Sequence, residues 1–256
     1  MPTQTQPIFA LEHVTISYSN SYSNCEQTRT VLKDISFSLE KGQKIGLYAP
    51  NGSGKTSLLR CITGLLPKES GIIRFHGTPV TTENDFKALR RAVGFVLQEA
   101  QDQIFFPTVL EDVAFGPLNL GLSSEEAEER ALETLNTLAI SSLKDRLTHQ
   151  LSGGEKRLVA LAGILAMQPE ALLLDEPTTA LDTAANQRLL SIVQELDTAS
   201  VTVCHDLLFL SKVASELYTI RDASLVPMEN AVLHTHEHAH FGGEVAHQHN
   251  CVYHLP

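Results

Sequence analysis

The sequence predicts an α/β fold: a core of buried parallel strands and helices, with an antiparallel β piece near its N-terminal end and a helical insertion in its middle. Three observations predict it. A strand, a glycine-rich turn and a helix follow one another over residues 44–62. Two apolar runs, 171–174 and 201–204, end abruptly in carboxylate or imidazole side chains, as strands of a buried parallel sheet do at the edge where ligands sit. Residues 99–167 change to helical periodicity.

In chain order, Val14, Ile16 and Tyr18 alternate, as do Ile35, Phe37 and Leu39, which is the period of half-buried strands. The polar stretch Ser19 to Thr30 between them reads as a hairpin loop. Tyr18 closes the first strand and offers an aromatic face to a purine.

Lys44 to Tyr48 reads as a strand, and Leu58 to Ile62 as the first turns of a helix. Between them lies A-P-N-G-S-G-K-T-S, Ala49 to Ser57. Gly52 and Gly54 permit backbone conformations closed to other residues and bring N–H groups close to an anion. The helix start adds unpaired N–H groups and about half a positive charge. Pro50, Asn51 and Ser53 complete the turn, Lys55 has the reach for β- and γ-phosphates, and the hydroxyls of Thr56 and Ser57 follow, Thr56 placed to ligate Mg²⁺. Ala49 stands where the G-x-x-x-x-G-K-[ST] pattern has its first glycine, a change that an ordinary negative φ accommodates.

Gly71 to Gly77 and Val93 to Gln98 read as further strands, the second placing the Gln98 amide at a C-terminal strand edge, near Mg²⁺ or an attacking water. Ser123 and Glu126 form a capping box, after which Ala127, Ala131, Leu135 and Leu138 share one helix face. Ser152 and Glu155 have the same spacing and open an apolar helix. Gly153 and Gly154 lower helix propensity there by about 1 kcal/mol each, yet bare backbone N–H groups as a second phosphate-binding end. The strand 171–174 ends in Asp175 and Glu176, one placed to hold Mg²⁺ and the other to orient or deprotonate water. Asp182 follows in a turn, and His205 ends the run 201–204, read as the last core strand.

Taken together, the phosphate loop, Gln98, L-S-G-G-E at 151–155, Asp175-Glu176, Asp182 and His205 resemble the ATP-binding subunit of an ABC transporter, over residues 8–228. Residues 102–121, D-Q-I-F-F-P-T-V-L-E-D-V-A-F-G-P-L-N-L-G, and A-G-I-L-A-M-Q-P at 162–169 are similar to the energy-coupling-factor group, importers of vitamins and of metals such as cobalt and nickel. The resemblance implies a RecA-like P-loop NTPase core within an ATPase domain 1–228, a helical subdomain at about 99–167 inserted in it, and a tail 229–256. It further implies ATP and Mg²⁺ as cofactors and a head-to-tail homo- or heterodimer sandwiching two ATP molecules. In that dimer Lys55, Thr56 and His205 of one subunit meet Ser152, Gly153 and Gly154 of the other, with Asp182 at the boundary. Asp175 and Gln98 would serve Mg²⁺, Glu176 would act as the base, and integral membrane subunits would be the partners, placing the protein peripherally on the cytoplasmic face of the membrane. Thr179 departs from the family's usual serine before the D-loop. A cargo of nickel or cobalt, with zinc behind, is the favoured reading; a vitamin importer, or an ABC-type ATPase of assembly or repair, are the alternatives.

The whole-chain properties fit this reading. A net charge of −11 argues against nucleic acid as partner. The longest apolar run, Leu158 to Met167, is too short for about 30 Å of hydrocarbon, and the polar start carries no secretion signal, so a cytosolic protein is expected. Four scattered cysteines without C-x-x-C argue against a disulfide framework or a zinc knuckle. The tail holds seven of the eleven histidines. His234, His236, His238 and His240 recur with period two, sharing a face only in an extended backbone, and His247 and His249 follow, a composition suited to a transition metal ion.

Overall fold

The computed structural model describes residues 6–20, 27–179, 181–228, 234–238 and 247–251. Strands β1 (Phe9–Asn20) and β2 (Gln27–Leu39) pair antiparallel, with Phe9 opposite Leu39, Leu11 opposite Phe37 and Val14 opposite Ile35. Their ladder continues through Ser19–Thr28 to Asn20–Gln27, so Ser19 to Thr30 is not all loop. These polar residues lack the apolar alternation that announces a strand. β4 (Ser70–Phe75) and β5 (Thr78–Pro79) complete a four-stranded antiparallel sheet in the order β2-β1-β4-β5.

A second sheet of six strands has the order β10-β9-β3-β8-β7-β6. β3 (Lys44–Tyr48), β6 (Val93–Val96), β7 (Ala171–Asp175) and β8 (Ala199–Cys204) run parallel, the mark of crossover connections through helices. The run 201–204 is not the last core strand. β9 (Glu216–Arg221) lies parallel to β3 on its far side, and β10 (Ser224–Pro227) pairs antiparallel with β9 at the edge. The half-polar sequence E-L-Y-T-I-R of β9 concealed a strand that is buried only in part. β6 also stops at Val96, two residues before Gln98, because the Leu97 N–H donates to the Gln103 side chain at 2.7 Å instead of to a neighbouring strand.

Side-chain alternation along β7 divides the interior into two cores. Ala171 and Leu173 join the core around helix α1 (Lys55–Ile62), which the antiparallel sheet covers. Leu172 and Leu174 enter the core built from α3 (Val109–Asn119), α4 (Ser124–Thr137) and α5 (Gly153–Leu165), closed by α6 (Thr183–Glu195) and α7 (Leu207–Val213). Helix α2 (Glu83–Ala92) precedes β6. No helix among the described residues is long and apolar enough to cross a membrane. The buried thiols of Cys61 and Cys204 are free.

Four helices begin with complete capping boxes: Thr82–Asp85, Thr108–Glu111, Ser123–Glu126 and Ser152–Glu155. Backbone N–H donors of Thr81 and Thr82 hold the Asp85 carboxyl down, from its ordinary 3.8 to about 2. Glu111, Glu126 and Glu155 are likewise held below the usual carboxylate range, by their capping Thr or Ser. Depressed folded-state values mean that these caps contribute stability above the unfolded carboxyl range and lose it as pH falls through the folded values. Thermal midpoints will therefore fall between about pH 4 and pH 2, and Asp85→Asn will flatten that slope. A wild-type slope in the variant would rule out the Asp85 cap as a contributor.

Candidate active site

The turn between β3 and α1 needs its glycines. Gly52 and Gly54 have φ of +78° and +105°, and a Cβ on Gly54 would come 2.6 Å from Val31. Ala49 is absent from the residues with positive φ, and its methyl is buried, so the departure from glycine carries no strain. Lys55 is buried at the base of the turn. Its ammonium donates to the Ala49 carbonyl at 2.6 Å, and the Pro50 carbonyl and Asn51 side chain lie at 3.3 and 3.4 Å.

The strand β7 ends at this turn. Lys55 Nζ lies 3.0 Å from Glu176 Oε1, a charge contact outside good hydrogen-bond alignment, while His205 Nδ1 lies 2.7 Å from Glu176 Oε2. Burial alone would raise the Glu176 carboxyl, but the hydrogen bond of His205 and the adjacent Lys55 charge outweigh it and hold the group below its ordinary value. A carboxylate only accepts, so the His205 proton in this contact sits on Nδ1. Glu176 also has φ of +47°, a left-handed conformation rare outside glycine. Strain of that kind persists where the surroundings fix it, often at functional sites. The Cys204 thiol comes within 4.8 Å of these groups, and burial pushes it up.

Two orphaned buried atoms test whether a nucleotide and its cation fit. Asp175 Oδ1 is buried with no hydrogen-bond partner among the described residues, and so is Ser53 Oγ. Burial pushes the Asp175 carboxyl up, opposed by a hydrogen bond from Thr56. A hard divalent cation would satisfy Asp175, and a phosphate oxygen would satisfy the Ser53 hydroxyl.

Lys55 and Glu176 open into a cavity of about 560 Å³ that also takes in Tyr18, Asn51, Thr56, Ser57 and Gln98 but not Ser53, Asp175 or His205, within the range of small-molecule sites. Tyr18 stands at its mouth, 42% exposed, with its hydroxyl 3.0 Å from Ser57 Oγ. Ser152, Gly153 and Gly154 are absent from this cavity. They line a separate cleft with Asp182, whose side chain caps α6 by accepting from the Ala185 N–H at 2.8 Å. The two sets of residues therefore line different cavities.

A model of the ABC transporter family matches residues 32–179. The chain belongs to that family. It is an ATP-binding cassette that hydrolyses ATP. It is 45% identical over 247 residues to a putative ABC transporter ATP-binding protein of Nitratidesulfovibrio vulgaris, covering 96% of this chain and 88% of that one. The cobalt import ATP-binding protein CbiO of Rhodobacter capsulatus is 43% identical over 219 residues, 84% and 76% of the two chains. Among solved structures, CbiO1 of Clostridium perfringens, described as part of the ABC transporter complex CbiONQ, superposes with a TM-score of 0.74 at 29% identity, covering 86% and 87%. A dimeric bacterial ABC transporter cassette gives 0.75 at 26% identity, covering 85% and 96%.

Two residues of the cassette escaped sequence reasoning. Arg29 lines the nucleotide cavity because the β1–β2 register sets it opposite Tyr18. Arg157, buried in α5, donates to the Glu176 carbonyl at 2.8 Å and to the Gln98 carbonyl at 2.7 Å. One guanidinium on the helix that begins at Gly153 thus fixes both polar strand-end segments of the cavity. The available signal was weak, since Lys156 and Arg157 read as the charged start of the apolar run that begins at Leu158. Arg157→Ala leaves two carbonyls without their donor and will cost about 1–3 kcal/mol of stability. Arg157→Lys cannot span both acceptors with its fork lost, and it will lower turnover more than nucleotide affinity. Wild-type turnover in the lysine variant would show that the bridge positions nothing.

Proposed function

We propose that this cassette powers an energy-coupling-factor importer whose cargo is a transition metal ion, nickel or cobalt first and zinc next. The observation that carries the mechanism is the separation of the two half-sites, the Lys55 cavity and the Gly153–Gly154 cleft, which a second cassette in head-to-tail contact would bring together. The cargo reading is supported by the 43% identity to a cobalt import ATP-binding protein and by energy-coupling factor ATP-binding relatives, such as that of Methanothermobacter thermautotrophicus at 40% over 80% of this chain and 67% of that one.

In this reading the bared N–H groups of residues 52–56 and the Lys55 ammonium bind the β- and γ-phosphates, while Tyr18 stacks on the adenine. Thr56, Asp175 and Gln98 hold Mg²⁺, which when bound neutralises charge on the phosphate oxygens. Lys55 must exchange Glu176 and the Ala49 carbonyl for phosphate oxygens, which frees one oxygen of Glu176 to accept a proton from the attacking water. His205 keeps the other oxygen oriented, and it donates to the γ-phosphate only once the ring turns or takes a second proton. Ser152 and the N–H groups of Gly153 and Gly154, delivered by the partner cassette, complete the donors around the transferring group, with Asp182 beside them. Closure and reopening of the dimer would then move integral membrane subunits at the cytoplasmic face.

The test is purification with native membrane partners followed by reconstitution in vesicles. ATP-dependent accumulation of Ni²⁺ or Co²⁺ is the expected result. Accumulation of a vitamin with no metal uptake would overturn the cargo, and purification with no membrane protein would overturn the importer.

A further inference from the structure

We infer that the C-terminal hairpin is a binding site for a borderline divalent d-block cation such as Zn²⁺, Ni²⁺, Co²⁺ or Cu²⁺, built on one face from His234, His236, His238, His247, His249 and Cys251. Strands β11 (His234–His238) and β12 (His247–Cys251) pair antiparallel, with His234 opposite Cys251, His236 opposite His249 and His238 opposite His247. Alternate residues of a strand share a face, and residues directly opposite in an antiparallel pair share it too. The register therefore gathers all six donor residues on one face and leaves Thr235, Glu237, Gln248 and Asn250 on the other. A slip by one residue would mix the two sets. His240 lies outside the described residues.

Spacing and chemistry agree on the ligand. Directly opposite Cβ atoms lie about 4.5–5.5 Å apart, and next neighbours on the same strand face about 6.5–7 Å apart. Two adjacent cross-strand pairs thus bring four donor residues to one patch of that face, the number of ligands a tetrahedral ion takes. His236, His249, His238 and His247 make an all-imidazole set, and exchange of the last pair for His234 and Cys251 makes an imidazole–thiolate set. Such donors favour borderline d-block ions over Mg²⁺ or Ca²⁺. A lone two-stranded hairpin is marginal in water, so the ion would also fasten the two strands. The site does not depend on the cargo, since a cassette importing any substrate would carry the same face.

The test compares the full-length protein with a variant of identical composition in which His247 is exchanged with Gln248 and His249 with Asn250. That moves two imidazoles to the opposite face while leaving Glu176, Cys204 and His205 in place. Zn²⁺ and Ni²⁺ are titrated calorimetrically without nucleotide, and metal is counted after gel filtration; coincident thermal unfolding shows that the variant is folded. We expect at least one tightly bound ion in the wild-type chain and affinity lower by at least about tenfold in the exchanged one. Equal affinity in the two chains would mean that the imidazoles act as an unpatterned set and would overturn the assignment, as would a wild-type chain that binds no ion. A double variant, His236→Asn with His249→Asn, should lose the ion without any change of register, and its retention would overturn the site as well.

Discussion

Glu176→Gln will reduce ATP hydrolysis by about 10²–10⁴-fold while leaving ATP binding intact. The amide keeps the shape of a side chain that is 5% exposed and retains an acceptor oxygen for His205, so the fold at the end of β7 should survive. What it loses is basicity. It also frees Lys55 from a buried counter-charge, and Lys55 keeps the Ala49 carbonyl as a partner, so the lysine stays available to phosphate. Affinity for ATP should hold or rise, because binding no longer has to break the 3.0 Å ion pair. Single-turnover kinetics with equilibrium binding separate the two effects. Hydrolysis within about tenfold of wild type would remove Glu176 from the role of base.

Gly153→Asp is the second large effect. A Cβ at Gly153 meets nothing within 4 Å, so the substitution fits the isolated fold. It sets a carboxylate at the helix tip where the account requires a γ-phosphate, beside Glu155, which already accepts from the Ser152 N–H at 2.7 Å. Like charges in a closed, water-poor site are costly. ATP binding by the single cassette should persist and hydrolysis should fall by at least about 10²-fold. Unimpaired hydrolysis would show that no phosphate approaches this tip.

Much of this site was legible because its chemistry is local. The glycine turn, the capping box at Ser152 and the acidic end of β7 each occupy a few consecutive residues, and each residue type has one economical use there. What stayed hidden depends on distant partners. Nothing near Arg157 says that its guanidinium reaches the carbonyls of Gln98 and Glu176, 59 and 19 residues away. The Lys55–Glu176 pair spans the gap between β3 and β7, strands separated in the sheet by β8. In the fold, β9 was missed because burial at one edge leaves half its residues polar, and the β1–β2 ladder was cut short because its last rungs pair polar residues. Helices α2 and α7 are short and strongly capped, so their signals lay in Thr82 and Asp206 more than in apolar period.

We propose that each hydrolytic site is shared between two chains. That sharing is tested most directly by mixing Lys55→Ala with Gly153→Asp, each inactive alone. A head-to-tail pair containing one of each has one composite site with both defects and one with neither. Activity should return on mixing, well above the sum of the separate proteins. No recovery in a mixture shown to form mixed dimers would contradict it, and would place the whole site within a single chain.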